Sequence, residues 1–384
     1  MKARRIAVVI NLDWTMKHHQ EVFAGTQDYA SAAGWKTVLS PFPPDLVDEE
    51  GERLFDGIIA RVHPALEERA GEAGIPLVNV WVSSPCENVP AVFPDVHAAG
   101  VMAGEHLLAR GFRRLAYAGY SRTRSSQWLR SGLGDAGGAH RIKLSNLLVS
   151  PSFSDSIRSW EIFQEKVRTW VKSLKPPVGV VAINDKVARY TINAALELGL
   201  SVPQDIAVVG TENEELVCLH PEPSISSVDL GWRTVGAQAA ARLEKLMDGH
   251  EEPSEPVLLP PGKLIPRKST DAFQVDDEYV SLALRFIAEE SRTPIKVRDV
   301  VDRVPISWRS LERRFRECRQ STISAEITRF RMERAKRLLV ETEMLVKQVA
   351  EDCGFANSRR FCEVFKRVQG ETPEQYRGKR VGRL

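Results

Sequence analysis

The sequence predicts an α/β two-lobed sensor with parallel, doubly wound sheets, followed by an all-α domain with two helix-turn-helix motifs. Strand-like apolar runs alternate with helical patterns over the first 270 residues, which is typical of parallel sheets covered by helices. One capped, amphipathic helix pattern occurs twice near the end of the chain, with the two capping residues 50 positions apart. Positive charge is concentrated in the segment that carries these two patterns.

The charge is divided unevenly along the 384 residues, whose formal net charge is +2. Residues 273–384 contain 24 Lys and Arg against 18 Asp and Glu, a net charge of +6, which leaves 29 against 33, or −4, for residues 1–272. Phosphate binding needs such an excess of positive charge. A solvated basic surface is the plain alternative.

Cysteine usage and the N-terminus favour a cytoplasmic protein. Five cysteines occur without a CxxC pair, which indicates a reducing compartment. The charged N-terminus leads into an apolar run at residues 6–12 that is too short for a signal peptide, and no run is long enough to span a membrane. We therefore expect no membrane partner, and we expect no metal, cofactor or catalytic residues.

The alternation over the first 270 residues predicts individual elements. The predicted strands are 6–12, 36–39, 57–62, 76–82, 115–119, 179–183 and 206–210. The predicted helices are 18–33, 48–55, 65–73, 98–110, 156–174 and 186–198. We predict a sensor of residues 1–268, with a first lobe of residues 1–112 and 230–268 and a second lobe of residues 113–229. Residues 251–263 are expected to add an edge strand, and residues 269–277 to link the sensor to a domain at 278–384.

The cleft between two such lobes is expected to bind a small molecule, because ligands of open α/β sheets bind where the carboxyl ends of strands converge. Polar and aromatic side chains follow the predicted strands, and tryptophans can cover the C–H face of a sugar. The candidate ligand-binding residues from these positions are Asp13, Trp14, Arg61, Trp81, Asp95, Trp128, Asn184, Asp185 and Glu212.

The first 268 residues resemble the sugar-binding domains of LacI/GalR repressors and periplasmic sugar-binding proteins. The phrases that carry this resemblance are VFPDVHAAGVMAGEHLLARGFRRLAYAGY, VVAINDKVARYTINAALELGLSVPQDIAVVGTENEEL and PSISSVDLGWRTVGAQAAARLEKLMDG. It implies a periplasmic-binding-protein-like fold in which Asn184, Asp185 and Glu212 hydrogen-bond the ligand. Glu212 stands where aspartate is usual, and Arg130 is an imperfect counterpart of a ligand-binding arginine in that family. The short DNA-binding headpiece of the repressors is absent.

The C-terminal repeat predicts two helix-turn-helix motifs. Ser307 caps a helix with Leu311 and Phe315 on its inner face, and Asn357 caps a second helix with Phe361 and Phe365 at the same spacing. Between them, residues 323–341 are predicted to form one helix. At about 1.5 Å per residue this helix is roughly 28 Å long, close to the ~34 Å between major-groove faces on successive turns of DNA.

Residues 278–380 resemble the DNA-binding domain of AraC/XylS-family regulators, through S-x3-L-x2-R-F-R, RMERAKRLLVET and VxxVAEDCGFANSRRFCEVFKRVQGETPEQYR. Pro305 and Asn357 replace a common glycine and aspartate. The resemblance implies double-stranded DNA as partner. Arginine suits guanine and glutamate suits cytosine N4, whereas residues further along each helix are suited to phosphates. The candidate DNA-binding residues are Trp308, Arg309, Glu312, Arg313, Arg316, Arg359, Arg360, Glu363, Lys366 and Arg367, with solvated or intrahelically paired charges as the alternative.

A LacI-like sensor followed by an AraC-type domain resembles regulators of pentose utilisation. This implies a homodimer, a pentose-like effector and activation, with RNA polymerase as a further possible partner. A polyol, a sugar acid or a nucleoside remains an alternative effector, since Arg61 could pair with a carboxylate. A transport-type binding protein or an enzyme is the alternative from another class. The sequence has no GxGxxG after the first strand and no GxxxxGK[ST], HExxH or GxSxG, although Asp95, Asp185 and Glu212 could imitate a glycosidase pair.

Overall fold

The structure is a computed structural model that describes residues 3–12, 17–138, 141–152, 155–271, 277–341 and 344–381. Contacts divide the chain into two compact units, residues 1–271 and residues 272–384. Among the described residues, no helix combines the length and the apolarity needed to cross a membrane.

A four-stranded parallel sheet with the order β2-β1-β3-β4 forms the first lobe. Alternate residues of β1 point into two cores, with Ala7 and Val9 on one side and Ile6 and Val8 on the other. This two-sided burial explains why the strand is a continuous apolar run. The elements of this part of the chain are β1 (Arg5–Val9), α1 (Lys17–Ala33), β2 (Lys36–Ser40), β3 (Gly57–Ala60), α2 (Pro64–Ala73) and β4 (Leu77–Asn79).

A six-stranded sheet with the order β12-β10-β9-β8-β6-β7 forms the second lobe, and only β12 is antiparallel to its neighbour. The chain reaches this lobe through β5 (Val92–Pro94) and α3 (Val96–Ala109). The following elements are β6 (Leu115–Tyr120), α4 (Arg124–Gly138), β7 (Ser145–Val149), α5 (Ile157–Ser173), β8 (Val178–Ala182), α6 (Asp185–Glu197), β9 (Ile206–Thr211), α7 (Glu215–Leu219) and β10 (Ser226–Val228).

The last part of the unit returns to the first lobe and then to the second. It contains α8 (Trp232–Met247), β11 (Val257–Leu259), β12 (Leu264–Ile265) and a 3-10 turn at Lys268–Thr270. Val235 and Ala239 of α8 pack in the core of the first lobe. β11 pairs in parallel with β5, and β12 pairs with β10. Residues 264–268, which we predicted to belong to the first lobe, therefore complete the second.

The predicted lobe boundary at residue 112 is also wrong, because α3 packs in the core of the second lobe through Ala99, Ala103 and Leu107. Glycines allow this close contact with α4. A Cβ on Gly100 would lie 2.2 Å from Leu129 O, and one on Gly132 would lie 2.0 Å from His97 O. The first lobe therefore ends near residue 95, where Asp95 caps α3.

Two further boundaries differ from the prediction. Residues 48–55 form no helix, since the Asp48 side chain accepts hydrogen bonds from the backbone N–H groups of Glu50 and Glu52 in a tight loop, a local bond that competes with helix. The predicted linker begins too early, because Ser269 and Thr270 are fully buried. Residues 272–276 lie outside the described residues. Helix α4 and strand β7 were not predicted.

The second unit contains seven helices within its described residues, namely α9 (Glu278–Glu290), α10 (Val297–Val301), α11 (Trp308–Arg319), α12 (Ile323–Glu341), α13 (Val346–Asp352), α14 (Ser358–Gln369) and α15 (Pro373–Val381). Two cores lie side by side. The first module comprises α9, α10, α11 and the first half of α12, and the second comprises the rest of α12, α13, α14 and α15. Helix α12 has the predicted bounds.

The capping residues act as the sequence predicts. The Ser307 side chain accepts from Ser310 N, and the Asn357 side chain accepts from Arg360 N. Gly354 ends the turn after α13 with a φ of 67°, in the left-handed region that favours glycine. A Cβ at this position would lie 2.3 Å from Thr293 O. Both backbone conformation and space therefore require glycine here.

We expect Gly354→Ala to destabilise the second unit more than Gly370→Ala does. Gly370 also has a positive φ, of 78°, but open space around it. An alanine there should cost roughly 1–2 kcal/mol for its left-handed backbone alone. At position 354 a further ~1–3 kcal/mol should follow from overpacking against backbone. Urea unfolding of both variants measures the difference, and equal losses would contradict the steric part of this account.

Candidate functional site

A cavity of about 440 Å³ lies between the two lobes of the first unit and is called the cleft below. Side chains from both lobes line it, and many of them stand at or just after the carboxyl ends of strands, where ligands of such sheets bind. Its volume falls within the ~300–1,000 Å³ range of small-molecule pockets. The polar and aromatic lining includes His18, His19, Arg61, Trp81, Tyr120, Thr123, Asn184, Lys186, Glu212, Glu214 and Trp232.

Four of the predicted ligand-binding residues line the cleft, namely Arg61, Trp81, Asn184 and Glu212. Asp13 and Trp14 lie outside the described residues.

The other four predicted residues, Asp95, Trp128, Arg130 and Asp185, are not among the cleft-lining side chains. The Asp95 carboxylate accepts from Ala98 N as the cap of α3. Trp128 packs against the core of the second lobe, and Arg130 lies on α4, whose partner is α3. The first residue of α6, Asp185, is only 1% exposed. Local roles in capping, core packing and loop support therefore account for the positions of Asp95, Trp128 and Asp185.

The first-lobe wall of the cleft combines a cation with two rings. The Arg61 guanidinium carbon lies 4.7 Å from the centre of the Trp81 ring, a cation–π distance. Burial lowers the pKa of Arg61 to about 10, so the side chain stays cationic at pH 7. Arg61 Nη1 donates to His19 Nε2 at 3.3 Å, and His19 Nδ1 donates to Asn11 O at 2.7 Å.

His19 is therefore neutral and held in one tautomer. Burial, followed by repulsion from His18, lowers its pKa to about 3. Since Nδ1 must carry the proton that Asn11 O accepts, Nε2 keeps its lone pair for Arg61. This chain of two hydrogen bonds fixes the guanidinium on the cleft wall.

Polar contacts cross the cleft between the lobes. Lys17 Nζ, at the start of α1, donates to Asn213 O at 3.1 Å. The neighbouring His18 places Nδ1 3.3 Å from Glu212 Oε1 without forming a hydrogen bond to it. The centre of its ring lies 5.1 Å from that of Trp232, with the two rings tilted by 33°. In the second lobe, Asn184 Nδ2 donates to Tyr120 Oη at 2.9 Å.

The loop that carries Glu212 and Asn213 is strained and firmly held. Both residues have positive φ, 91° and 51°, which is uncommon outside glycine and clusters at functional sites. Asn213 N donates to Ser227 Oγ, and Ser227 Oγ donates to Asp185 Oδ1 at 2.6 Å. The other oxygen of Asp185 accepts from Glu214 N at 2.7 Å. Asp185 thus positions the cleft loop from below.

Asp185 and Glu214, beside this loop, have raised pKa values. Burial raises the pKa of Asp185 to about 7, although its hydrogen bonds with Ser227 and Glu214 N oppose the shift. Burial also raises the pKa of Glu214, and the Lys186 ammonium, 3.8 Å away, partly offsets it.

Three cleft residues have a buried polar atom without a hydrogen-bond partner in the part of the chain that the structure describes. These atoms are His18 Nδ1, Thr123 Oγ1 and Trp232 Nε1. Buried polar groups are normally satisfied, because each unsatisfied group costs about 1–3 kcal/mol. Their gathering in one cavity indicates a site that a hydroxyl-bearing ligand would complete.

Sequence reasoning missed His18, His19, Lys186, Glu214 and Trp232 in the cleft. The sequence does place these residues next to recognisable features. The two histidines open the first helix, and Trp232 opens the helix that follows β10. Applying the strand-end rule to the first turn of each following helix would have found them.

The second unit presents a cationic surface on α11 and α14. All ten predicted DNA-binding residues lie on these two helices, and all but Glu312, which is half-buried, are exposed. Leu311, Phe315, Phe361 and Phe365 are fully buried, as predicted. The basic residues thus occupy the outer faces, where duplex DNA could reach them.

The predicted alternative of intrahelical pairing is also observed. Arg313 pairs with Glu317 at 3.0 Å, and Glu363 pairs with Arg359 at 3.3 Å and Arg360 at 3.5 Å. Arg359 nevertheless keeps 91% of its side chain exposed. Exposed pairs of this kind contribute only about 0–1 kcal/mol, so a phosphate or a base edge can displace them.

Comparisons with known proteins support the division of the chain into a sensor and a helix-turn-helix unit. Residues 105–270 match the family of periplasmic binding protein-like domains, and residues 300–379 match a family of helix-turn-helix domains. The xylose operon regulatory protein of Escherichia coli (strain K12) is 29% identical and covers 98% of this chain and 97% of its own. That of Haemophilus influenzae (strain ATCC 51907 / DSM 11121 / KW20 / Rd) is 36% identical over 57% of each chain.

A solved structure of the xylose-binding transcription activator xylR is similar over 98% of both chains, with a TM-score of 0.61 and 28% identity. These homologues are transcription regulators and not enzymes. The chain is a transcription regulator homologue in which a periplasmic binding protein-like domain precedes an AraC-type helix-turn-helix domain, and nearly its whole length is homologous to the xylose operon regulatory protein of Escherichia coli.

Proposed function

We propose that this regulator senses a pentose such as D-xylose in the cleft and activates genes for its utilisation. The carrying observation is the set of three buried polar atoms of His18, Thr123 and Trp232 that form no hydrogen bond in the described part of the chain and belong to residues lining the cleft. A sugar offers several hydroxyl groups, each both donor and acceptor, which could satisfy them at once. The names of the xylose regulators above support a pentose for this chain.

The rest of the cleft suits a sugar. Trp81 and Trp232 supply rings that can cover the C–H face of a pyranose. Glu212 and Asn184 supply an acceptor and an amide on the opposite wall. Arg61 supports the alternative of a sugar acid, because a guanidinium binds a carboxylate through two parallel hydrogen bonds.

We propose that α11 and α14 enter adjacent major grooves. Arg309, Arg313, Arg359 and Arg360 lie in the first two turns of their helices, where they would meet base edges. Arg316, Lys366 and Arg367 lie further along and would meet phosphates. The net positive charge of this part of the chain supports the assignment.

A homodimer is the proposed assembly. Leu216 is 84% exposed and Leu219 is 44% exposed on the short helix α7, and exposed apolar side chains are typical of protein contacts. Light scattering by the full chain measures this state directly. Activation would additionally require contact with RNA polymerase, which transcription in vitro with and without the sugar would test.

We propose that the loop of Glu212 and Asn213 carries the effector signal to the end of the sensor. Its backbone faces Lys17 across the cleft. On the other side, Asn213 Oδ1 accepts from Arg267 Nη2 at 2.6 Å. Arg267 lies two residues before the buried Ser269 and Thr270, close to the end of the first unit at Asp271. Closure of the lobes onto a sugar would therefore act directly on residues 267–271.

D-Xylose should stabilise the protein against heating, by about 2.7 kcal/mol at 100 times Kd. Trp232→Phe keeps an aromatic ring, although a smaller one, and removes the Nε1 donor, so we expect roughly a 2- to 10-fold loss of xylose affinity for one neutral hydrogen bond. Trp170→Phe is the matched control, because its Nε1 donates to Ser145 outside the cleft. Thermal shift and calorimetry should include hexoses, polyols and uronates. A response to uronates alone would replace the pentose with a sugar acid.

Arg313→Ala or Arg360→Ala should cost ~1–3 kcal/mol at a specific DNA site and relax the preference at one base pair. Arg298→Ala is the control, since Arg298 is exposed on α10 and pairs only within that region, with Asp302. Fluorescence anisotropy on a duplex selected by the wild-type protein, and on single-base variants of it, measures both effects. A loss that is uniform across all sequences would reassign these arginines to phosphate contacts.

Asn213→Gly should uncouple sensing from DNA binding. Glycine keeps the backbone groups that contact Lys17 and Ser227 and tolerates the positive φ, so only the bond to Arg267 is lost. We expect faster hydrogen exchange in residues 267–271 and a smaller effect of D-xylose on DNA affinity, with xylose affinity within about twofold of wild type. Arg141→Gly, which relieves a φ of 54° outside the cleft lining, is the control. If hydrogen exchange in residues 267–271 were as slow in Asn213→Gly as in the Arg141→Gly control, the proposed route would be contradicted.

A further inference from the structure

We propose that Arg331 is a positioning residue that fixes the distance between α11 and α14 on DNA. It belongs to α12, the helix that the two modules share. Before it, Ile327 and Phe330 pack with the first core, and after it, Met332 and Ala335 pack in the second. Arg331 therefore stands where the chain passes from one module to the other.

The Arg331 side chain contacts both modules. Its Nη2 donates to Thr293 O at 2.9 Å and to Ile295 O at 3.0 Å, in the segment that follows α9 of the first module. Its Cζ lies 5.5 Å from the centre of the Phe355 ring, in the turn after α13 of the second module. One guanidinium thus joins the two modules, and its planar shape suits two carbonyls and a ring face together.

The backbones of the two modules also touch at this point. The carbonyl of Thr293 that accepts from Arg331 lies 2.3 Å from the position that a Cβ on Gly354 would occupy, and Ser291 O lies 2.8 Å from it. Gly354 belongs to the second module, and Ser291 and Thr293 belong to the first. Arg331 therefore completes a contact between the two modules, whose backbones lie too close together here for a side chain to fit between them.

This contact matters because α12 alone would hold the relative positions of α11 and α14 less strictly. Long helices bend gently, and a small bend at the middle of α12 would displace α14 relative to α11. One extra base pair between two recognised elements rotates the second by about 34° and moves it by about 3.4 Å along the duplex. A rigid pair of modules cannot follow this change, whereas a loosened pair can.

Arg334 provides a matched control on the same helix. Its Nε donates to Asp352 O at 3.0 Å, and its guanidinium pairs with the Asp352 carboxylate. Both groups belong to the second module. Arg334→Met therefore removes a comparable arginine anchor from α12 without touching the junction between the modules.

The experiment rests on the proposed function, in which α11 and α14 enter two adjacent major grooves. The full chain selects a duplex from a random library, with and without D-xylose, and one base pair is then inserted or deleted between the two recognised elements. Wild type and Arg334→Met should each lose affinity on the order of tenfold or more on the altered duplexes. Arg331→Met should lose less than about threefold, because its modules can adjust. Arg331→Lys, which keeps the charge but not the planar fork, should behave like Arg331→Met.

The outcomes distinguish the positioning role of Arg331 from the proposal that α11 and α14 enter adjacent grooves. A spacing penalty in Arg331→Met equal to that of wild type would overturn the positioning role and leave the DNA-binding function intact. Unfolding of the second unit in both Arg331 variants would assign the residue to folding instead and would overturn the proposal equally. Selection of no preferred sequence, or of a single element without spacing preference, would overturn the two-groove reading and this inference with it.

Discussion

The DNA-reading surface that we propose for α11 and α14 depends on one constraint. Each of these helices buries two side chains that lie one turn apart. Leu311 and Phe315 on α11, and Phe361 and Phe365 on α14, are fully buried. Residues four apart share one face of a helix, so this burial turns the remaining faces, which carry the arginines, toward solvent. The capping side chains then fix where each helix begins. Together they determine which residues a duplex can meet.

The sensor depends on a different constraint, the convergence of parallel strand ends. Because all strands of the two main sheets except β12 run parallel to their neighbours, their carboxyl ends face a common cleft, and the residues that follow them gather there. Asn184 and Glu212 arrive in this way. Asp95 and Asp185, which could have imitated a glycosidase pair, face packing instead and serve as a helix cap and a loop support. The remaining polar groups suit binding better than proton transfer.

Local signals explain what could be predicted from the sequence. The bounds of α12 and the caps of α11 and α14 follow from periodicity and short-range hydrogen bonding, which lie within one stretch of chain. The lobe boundary could not be found in this way. Helix α3 carries a broad apolar surface, and its packing in the core of the second lobe together with its glycine contacts with α4 assigns it there. By contrast, the histidines at the start of α1 follow the end of β1 closely in the chain, so the strand-end rule could have found them.

The two lobes of the sensor and the two modules of the second unit are held together by different kinds of contact. Across the cleft, the lobes meet through polar contacts such as those of Lys17 and His18, which water or a ligand can replace at a small net free-energy change. In the second unit, the modules meet through backbone contact at Gly354 and through a helix that enters both cores. Separating them would expose packed surface and leave carbonyls unsatisfied. A ligand can therefore shift the two lobes of the sensor more readily than the two modules of the second unit can move apart.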